Sequence, residues 1–288
     1  MGALAGAHAF ITGGGSGIGL GAARAFVADG AQVTLCGRTL EKLESARTAL
    51  GDAASVAIAD VGDEAALAAA IGRANDRAPL TIAVANAGVG AAGPFLATDV
   101  SDWERVMRTN LTGAFLTLKL TGNYLAANGG GAMCAVSSIA GSRTHRFMTA
   151  YNTSKAGLEM LVRSAADELG SLGVRVNAVA PGLVETDIST GLRSDDAVAE
   201  DYRVNMPLGR QGTVGDVGAA IRFLCGPESS WITGAVLPVD GGHHLRRGPN
   251  IDPLLTSFID DLPAVSAQPE RPSQSSTHQT PTSQTTET

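Results

Sequence analysis

Aromatic residues are scarce: Phe, Trp and Tyr make up 4% of the 288 residues, against 44% hydrophobic residues overall. The core must therefore be built from Ala, Val, Leu and Ile. Cysteine is as rare. Cys36, Cys134 and Cys225 are scattered without metal-ligand spacing in apolar or strand-like settings, which argues against a disulfide framework and suits three reduced, buried thiols in a cytoplasmic protein. No apolar run reaches the ~18 residues a membrane helix needs, and no basic stretch precedes an apolar run with a cleavage site, so no membrane association and no signal peptide are expected. Positive charge is in deficit, with 21 Lys and Arg against 28 Asp and Glu. Without a basic patch, nucleic acid is not an expected partner. His243 and His244 are adjacent, point differently and have no evident third ligand, so no metal is assigned.

Glycine is abundant, at 36 residues, which suits many tight strand-to-helix turns. Short apolar runs alternate with longer helical stretches, the pattern of repeated βαβ units. Strands are expected over 7–12, 32–36, 55–59, 80–85, 131–136, 175–179 and 235–239. Helices are expected over 17–29, 40–50, 64–75, 103–126, 150–172 and 214–224, with Ser101 capping the fourth. Seven such strands predict one α/β domain, a doubly wound parallel seven-stranded sheet covered on both faces. The domain is expected to span residues 1–245. Residues 246–263 form an extension whose apolar cluster can dock as a turn or two. Residues 264–288 are Ser, Thr, Gln and Pro with almost nothing apolar, and are expected to be disordered because they bury too little to offset the ordering entropy.

The first strand leads into Thr12-Gly13-Gly14-Gly15-Ser16-Gly17-Ile18-Gly19 and then a helix. A phosphate cradle belongs there, because helix N–H groups and the helix dipole point at an anion and glycine lets the backbone approach it. The second strand ends Cys36-Gly37-Arg38. An acid at that end would accept from a ribose 2′-hydroxyl and repel a 2′-phosphate. None is present, and Arg38 can grip a phosphate bidentately. NADP(H) is therefore favoured, with NAD(H) the alternative if Arg38 is a solvated charge stacked on adenine. Ser16 adds no second basic residue to the turn.

Tyr151 and Lys155 are one helical turn apart, so phenol and ammonium share a helix face. An unperturbed tyrosine titrates near pH ~10. A neighbouring cation lowers that value toward the range acid–base catalysis needs. Ser138 ends the fifth strand, where its hydroxyl can donate to a substrate carbonyl and steady a developing alkoxide. Ser137 falls on the opposite face and reads as structural. Asn110 lies mid-helix, where it costs propensity for no local reason.

With its glycine turn at 12–19, Asn86-Ala87-Gly88 after the fourth strand, Ser138, Tyr151 and Lys155, the chain resembles the short-chain dehydrogenase/reductase family over about residues 5–245, in particular its 3-oxoacyl reductase-like branch. The resemblance implies a Rossmann-type fold and NAD(P)(H)-dependent interconversion of a ketone and a secondary alcohol. It implies a catalytic tetrad of Asn110, Ser138, Tyr151 and Lys155, with Tyr151 and Lys155 also touching the cofactor. Further cofactor contacts are implied for Gly13, Gly15, Ser16, Gly17, Ile18, Gly19, Arg38, Asp60, Val61, Asn86, Ala87, Gly88, Pro181, Gly182, Val184 and Thr186. From the residues alone, Asp60 reads equally as a helix cap and Pro181-Gly182 as a plain turn.

The implied substrate is a small carbonyl or alcohol, whether a 3-oxoacyl thioester or a hydroxysteroid-like ketone. The family's lid falls on 187–207, where Ile188, Leu192, Tyr202 and Met206 supply either an apolar wall or ordinary helix contacts. Arg143, His145 and Arg146 read as a grip for an anionic carrier or as a solvated charge run. A homotetramer is implied, packed through the two long helices, which carry Ala156, Gly157 and Ser164, and the last strand. Two other functions remain open: an enoyl- or dienoyl-thioester reductase on the same fold, and a non-catalytic nucleotide-binding regulator.

Overall fold

A computed structural model describes residues 2–186, 189 and 196–246. Its strands are β1 (His8–Thr12), β2 (Gln32–Gly37), β3 (Ala54–Ile58), β4 (Ile82–Ala85), β5 (Gly131–Val136), β6 (Val174–Pro181) and β7 (Val236–Val239). All pairings are parallel, in the order β3-β2-β1-β4-β5-β6-β7. The central strands are short runs of Ala, Val, Ile and Cys buried on both faces, as a parallel sheet requires.

The helices are α1 (Gly17–Ala28), α2 (Leu40–Leu50), α3 (Glu64–Arg77), α4 (Val100–Met107), α5 (Gly113–Ala127), α6 (Thr149–Leu169), α7 (Asp196–Asn205) and α8 (Val214–Cys225). Adjacent residues of one strand feed opposite faces. Ile11 packs with Phe26, Leu35 and Ile221 beneath α1, α2 and α8. Phe10 packs with Leu67, Leu125, Met133 and Leu158 beneath α3, α5 and α6. The three cysteines are buried free thiols.

Chain order reverses between β1 and β4: from β1 the sheet builds outward to β3, then the chain crosses back to β4. The connections that follow β1 and β4 leave toward opposite faces of the sheet at such a switch point, and a crevice for a ligand lies between them.

Three details differ from the sequence reading. Helix α4 begins at Val100 with Asp99 at its N-cap, so Ser101 lies inside the helix rather than capping it. The expected continuous helix is broken by a π-turn over Arg108–Thr112 between α4 and α5. Helix α7 has too polar a sequence to read as a separate element within the lid. Ile188 and Leu192, the extension from 247 onward and the tail at 264–288 lie outside the described residues. No described helix is long and apolar enough to cross a membrane.

Candidate active site

The crevice is built first by locking two loops together. The Thr12 hydroxyl accepts from the backbone N–H of Asn86 (3.0 Å) and of Ala87 (3.2 Å). The Asn86 amide donates to the Thr12 and Gly13 carbonyls, at 2.9 and 3.2 Å. Asn86 thus holds the glycine turn against the loop after β4. Gly13 and Gly17 have φ of 65° and 53°, the left-handed region that favours glycine. A Cβ on Gly19 would lie 2.6 Å from the Asn86 amide nitrogen and collide with the Gly13 carbonyl. The turn is therefore wound too tightly for side chains at Gly13 and Gly19. Ser16 stands at the N-cap of α1 without a side-chain capping bond to the helix N–H groups.

A cleft of about 190 Å³ runs from this turn, lined by Gly13, Gly15, Ser16, Arg38, Asp60, Val61, Ala87 and Gly88. Lys42 and Thr109 also line it and escaped the sequence reading. Lys42, in the first turn of α2 and four residues after Arg38, supplies the second cation that Ser16 does not. Thr186 reaches the same turn, since a Cβ on Gly17 would touch its methyl group at 3.4 Å. Asp60 accepts from the Gly62 N–H at 2.9 Å, so its carboxylate closes a local turn rather than capping α3, which Asp63 caps. Ile18 packs partly on the core. Pro181 ends β6, and Gly182 sits tightly against Asp240. The Val184 side chain is 4% exposed and packs into the core, which leaves only its backbone free to serve the cleft.

At the chemical end, Ser138 follows β5 and Tyr151 lies in the first turn of α6. The Ser138 hydroxyl lies beside the Tyr151 phenol and favours its ionised form. Its oxygen also accepts from the Ala140 N–H at 3.1 Å. Ser137 points the other way, donating to buried Glu159 at 3.0 Å. Lys155 is buried, donates from Nζ to the Val136 carbonyl at 2.7 Å, and stands 5.6 Å from the Tyr151 ring centroid.

Burial pushes the Tyr151 phenol up, and the Ser138 hydrogen bond only partly offsets it. Burial also pulls Lys155 down to about 8. The lowering expected from Lys155 is not seen here: burial raises the phenol and Ser138 is its counterweight, so Tyr151 stays in the form that can donate a proton to a carbonyl oxygen.

Asn110 occupies the π-turn and is 1% exposed. Its Oδ1 accepts from the Val89 N–H at 2.8 Å, and its Nδ2 donates to the Val89 carbonyl at 3.0 Å and to Ser154 Oγ at 3.1 Å. The side chain is therefore consumed in tying the loop after β4 to α6. That accounts for an amide mid-helix, because π-turns cluster where function demands a local distortion. A Cβ on Gly88 would approach both Asn110 Oδ1 (3.4 Å) and Lys155 Nζ (3.8 Å), so the cleft and the Tyr–Lys pair adjoin. Ser154 was missed by sequence reading; its one signal was a hydroxyl beside Lys155.

On the substrate side, Tyr202 of α7 contacts His145 at 6.4 Å between ring centroids and His243 at 5.4 Å. Met206 is buried and anchors α7 instead of forming a wall. Arg146 stacks on its neighbour Phe147 at 4.6 Å. No group of three or more His, Cys, Asp or Glu that could hold a metal occurs among the described residues.

A crevice at the switch point, a glycine cradle and a phenol–ammonium pair beside it define a dinucleotide-dependent dehydrogenase or reductase. A family model described as Enoyl-(Acyl carrier protein) reductase matches residues 13–244. Galactitol 2-dehydrogenase (L-tagatose-forming) of Cereibacter sphaeroides is 40% identical over 243 residues, 83% of this chain and 96% of that protein. A 3-oxoacyl-(acyl-carrier-protein) reductase of Chlamydia muridarum is 33% identical, covering 81% and 96%. The crystal structure of a gluconate 5-dehydrogenase from Burkholderia cenocepacia in complex with NADP and tartrate superposes with a TM-score of 0.82 at 31% identity, covering 85% and 97%. The chain belongs to the short-chain dehydrogenase/reductase family and is an oxidoreductase of the CH–OH/C=O class.

Proposed function

We propose that the protein interconverts a ketone and a secondary alcohol by hydride transfer with NADP(H), in preference to NAD(H). The observation that carries this reading is the Tyr151 phenol beside the Ser138 hydroxyl, with Lys155 Nζ 5.6 Å from its ring centroid. When bound, the nicotinamide supplies or accepts the hydride at the carbon of the reacting C–O bond. Ser138 donates a hydrogen bond to the oxygen of that bond and orients it. Tyr151 gives its phenolic proton to the same oxygen in reduction and takes it back in oxidation. Lys155 steadies the resulting phenolate and helps hold the nicotinamide ribose. Asn110 positions Ser154 and the loop at Val89, and so keeps α6 in register with the cleft.

Gly13, Gly17 and Gly19 keep the turn as bare backbone at the N-terminus of α1, which suits a pyrophosphate. Arg38 and Lys42 line the same cleft and suit a 2′-phosphate. In parallel assays with NADPH and NADH, the wild type is expected to prefer NADPH. Arg38→Ala is expected to lower kcat/KM for NADPH by about 10- to 100-fold, the loss of a charge-assisted hydrogen bond, with a far smaller effect on NADH. A strong wild-type preference for NADH would overturn the cofactor reading.

The description of the matching family model favours an enoyl reductase as second reading. Ser138 beside Tyr151 fits a carbonyl oxygen better than a carbon–carbon double bond. A purely regulatory protein would have no use for the complete set of Asn110, Ser138, Tyr151 and Lys155.

A homotetramer, in a cytoplasm that keeps the three thiols reduced, completes the reading. Ala156, Met160 and Ser164 make an exposed stripe along α6 at spacings of four, and Phe115 is exposed on α5. Gly157, by contrast, packs against Leu111 of its own chain. Edge strand β7 leaves Leu237 exposed, and nearby in sequence Trp231 is 99% exposed. Sedimentation velocity should give about four times the 29.2 kDa chain mass; a monomer at micromolar concentration would refute the assembly.

A further inference from the structure

Tyr151, Lys155 and Glu159 follow one another at four-residue intervals along one face of α6. Each meets one of three successive residues at the end of β5. Tyr151 stands beside Ser138. Lys155 Nζ donates to the Val136 carbonyl at 2.7 Å, and the Glu159 carboxylate accepts from the Ser137 hydroxyl at 3.0 Å. The first two residues of the helix face belong to the chemistry already described, and Glu159 does not. Both Glu159 and Ser137 are buried. A carboxylate withdrawn from water is costly unless donors meet it, and Ser137 is the donor on its inner oxygen. Arg163, itself half exposed, stands 3.8 Å from the other oxygen.

The same carboxylate bears on the turn that follows Ser138. Ile139–Gly141 form one tight helical turn, and the Ser138 hydroxyl oxygen accepts from the Ala140 N–H within it. A Cβ on Gly141 would collide with Glu159 Oε1 and lie 3.1 Å from the Lys155 carbonyl, so Gly141 seats that turn directly on the carboxylate. Ser138 is thus bracketed, with Ser137 before it bonded to Glu159 and Gly141 after it resting on Glu159. A hydroxyl that orients a reacting C–O bond must be held to within a fraction of an ångström, because small misplacements cost rate steeply. Resting on the roles given above to Ser138 and Tyr151, we propose that Glu159 is a positioning residue. Through Ser137 and Gly141 it sets the Ser138 hydroxyl against the Tyr151 phenol, and it touches neither substrate nor cofactor. What it supplies is an oxygen acceptor in a fixed place, one and two helical turns beyond the lysine and the tyrosine it serves.

The test is a double-mutant cycle on NADPH-dependent reduction of the best substrate from a panel of ketones, with wild type, Glu159→Met, Ser138→Ala and the double variant. Methionine keeps the length of the side chain and removes the acceptor. Glu159→Met is expected to lower kcat about tenfold, while the dissociation constant of NADPH, read by fluorescence, stays within about twofold. In the Ser138→Ala background the same substitution should cost less than about twofold, because the group it positions is gone. Glu159→Gln, which keeps an oxygen for Ser137, should recover most of the lost kcat. Ser137→Ala cuts the same hydrogen bond by deleting one hydroxyl, and should show the same dependence on Ser138; thermal melts confirm that each variant is folded. Equal losses in both backgrounds would make Glu159 a packing residue, and undiminished kcat in Glu159→Met would remove it from the site. Either result overturns the proposal and leaves Ser138 in place. Undiminished kcat in Ser138→Ala would instead overturn the reading of Ser138, and this proposal with it.

Discussion

Tyr151→Phe is expected to lower kcat by about 10³-fold while leaving cofactor affinity within about twofold, because general acid–base groups contribute roughly 10²–10⁴. The substitution removes one oxygen and keeps the ring, so packing of α6 is preserved. Ser138 loses its phenolic neighbour but keeps the Ala140 N–H. The loss should fall on kcat and kcat/KM alike, the mark of an interaction made in the transition state. Nucleotide binding, read by fluorescence or calorimetry, separates this outcome from misfolding. Turnover comparable to wild type would remove Tyr151 from the chemistry.

Lys155→Met is expected to cost about 10²-fold in kcat and to abolish a pH break in carbonyl reduction. Burial places the Lys155 ammonium near pH 8. Below that value the lysine is charged and stabilises the phenolate that Tyr151 becomes as it gives up its proton. Above it, Lys155 loses its proton and the phenolate its partner. Reduction should therefore be fastest below about pH 8 and fall above it. The methionine variant, of similar length and without a titrating group, should show no such fall. A wild-type rate that is flat from pH 6 to 10 would contradict the role given to Lys155, as would an unaltered break in the variant. Thermal melts followed by circular dichroism control for folding.

The alternation of strands and helices was legible because a parallel sheet buried on both faces needs nearly unbroken apolar runs. Runs such as Ile82–Ala85 and Gly131–Val136 can hardly be anything else. Asn110 was legible as a misfit, and the π-turn is the physical form of that misfit. Ser138 could be separated from Ser137 because strand alternation sends neighbours to opposite faces. Other features had no local signal. Lys42 sits in an ordinary amphipathic helix, and its spacing from Arg38 does not say which face of that helix meets the cleft. Helix α7 is a short, mostly polar run that does not announce itself. The direction of the Tyr151 shift depends on how deeply α6 is buried, which four-residue spacing cannot reveal. His145, Tyr202 and His243 come from three separate elements, so no motif could join them.

The most direct test of hydride transfer to a carbonyl is the fate of deuterium from C4-deuterated NADPH. Enzyme, labelled cofactor and a panel of ketones are incubated with an enoyl thioester as competitor, and the products are analysed by mass spectrometry and NMR. The account predicts one deuterium on the newly formed carbinol carbon of an alcohol product, and none in the thioester. Deuterium on a saturated carbon of the thioester, with every ketone untouched, would contradict it.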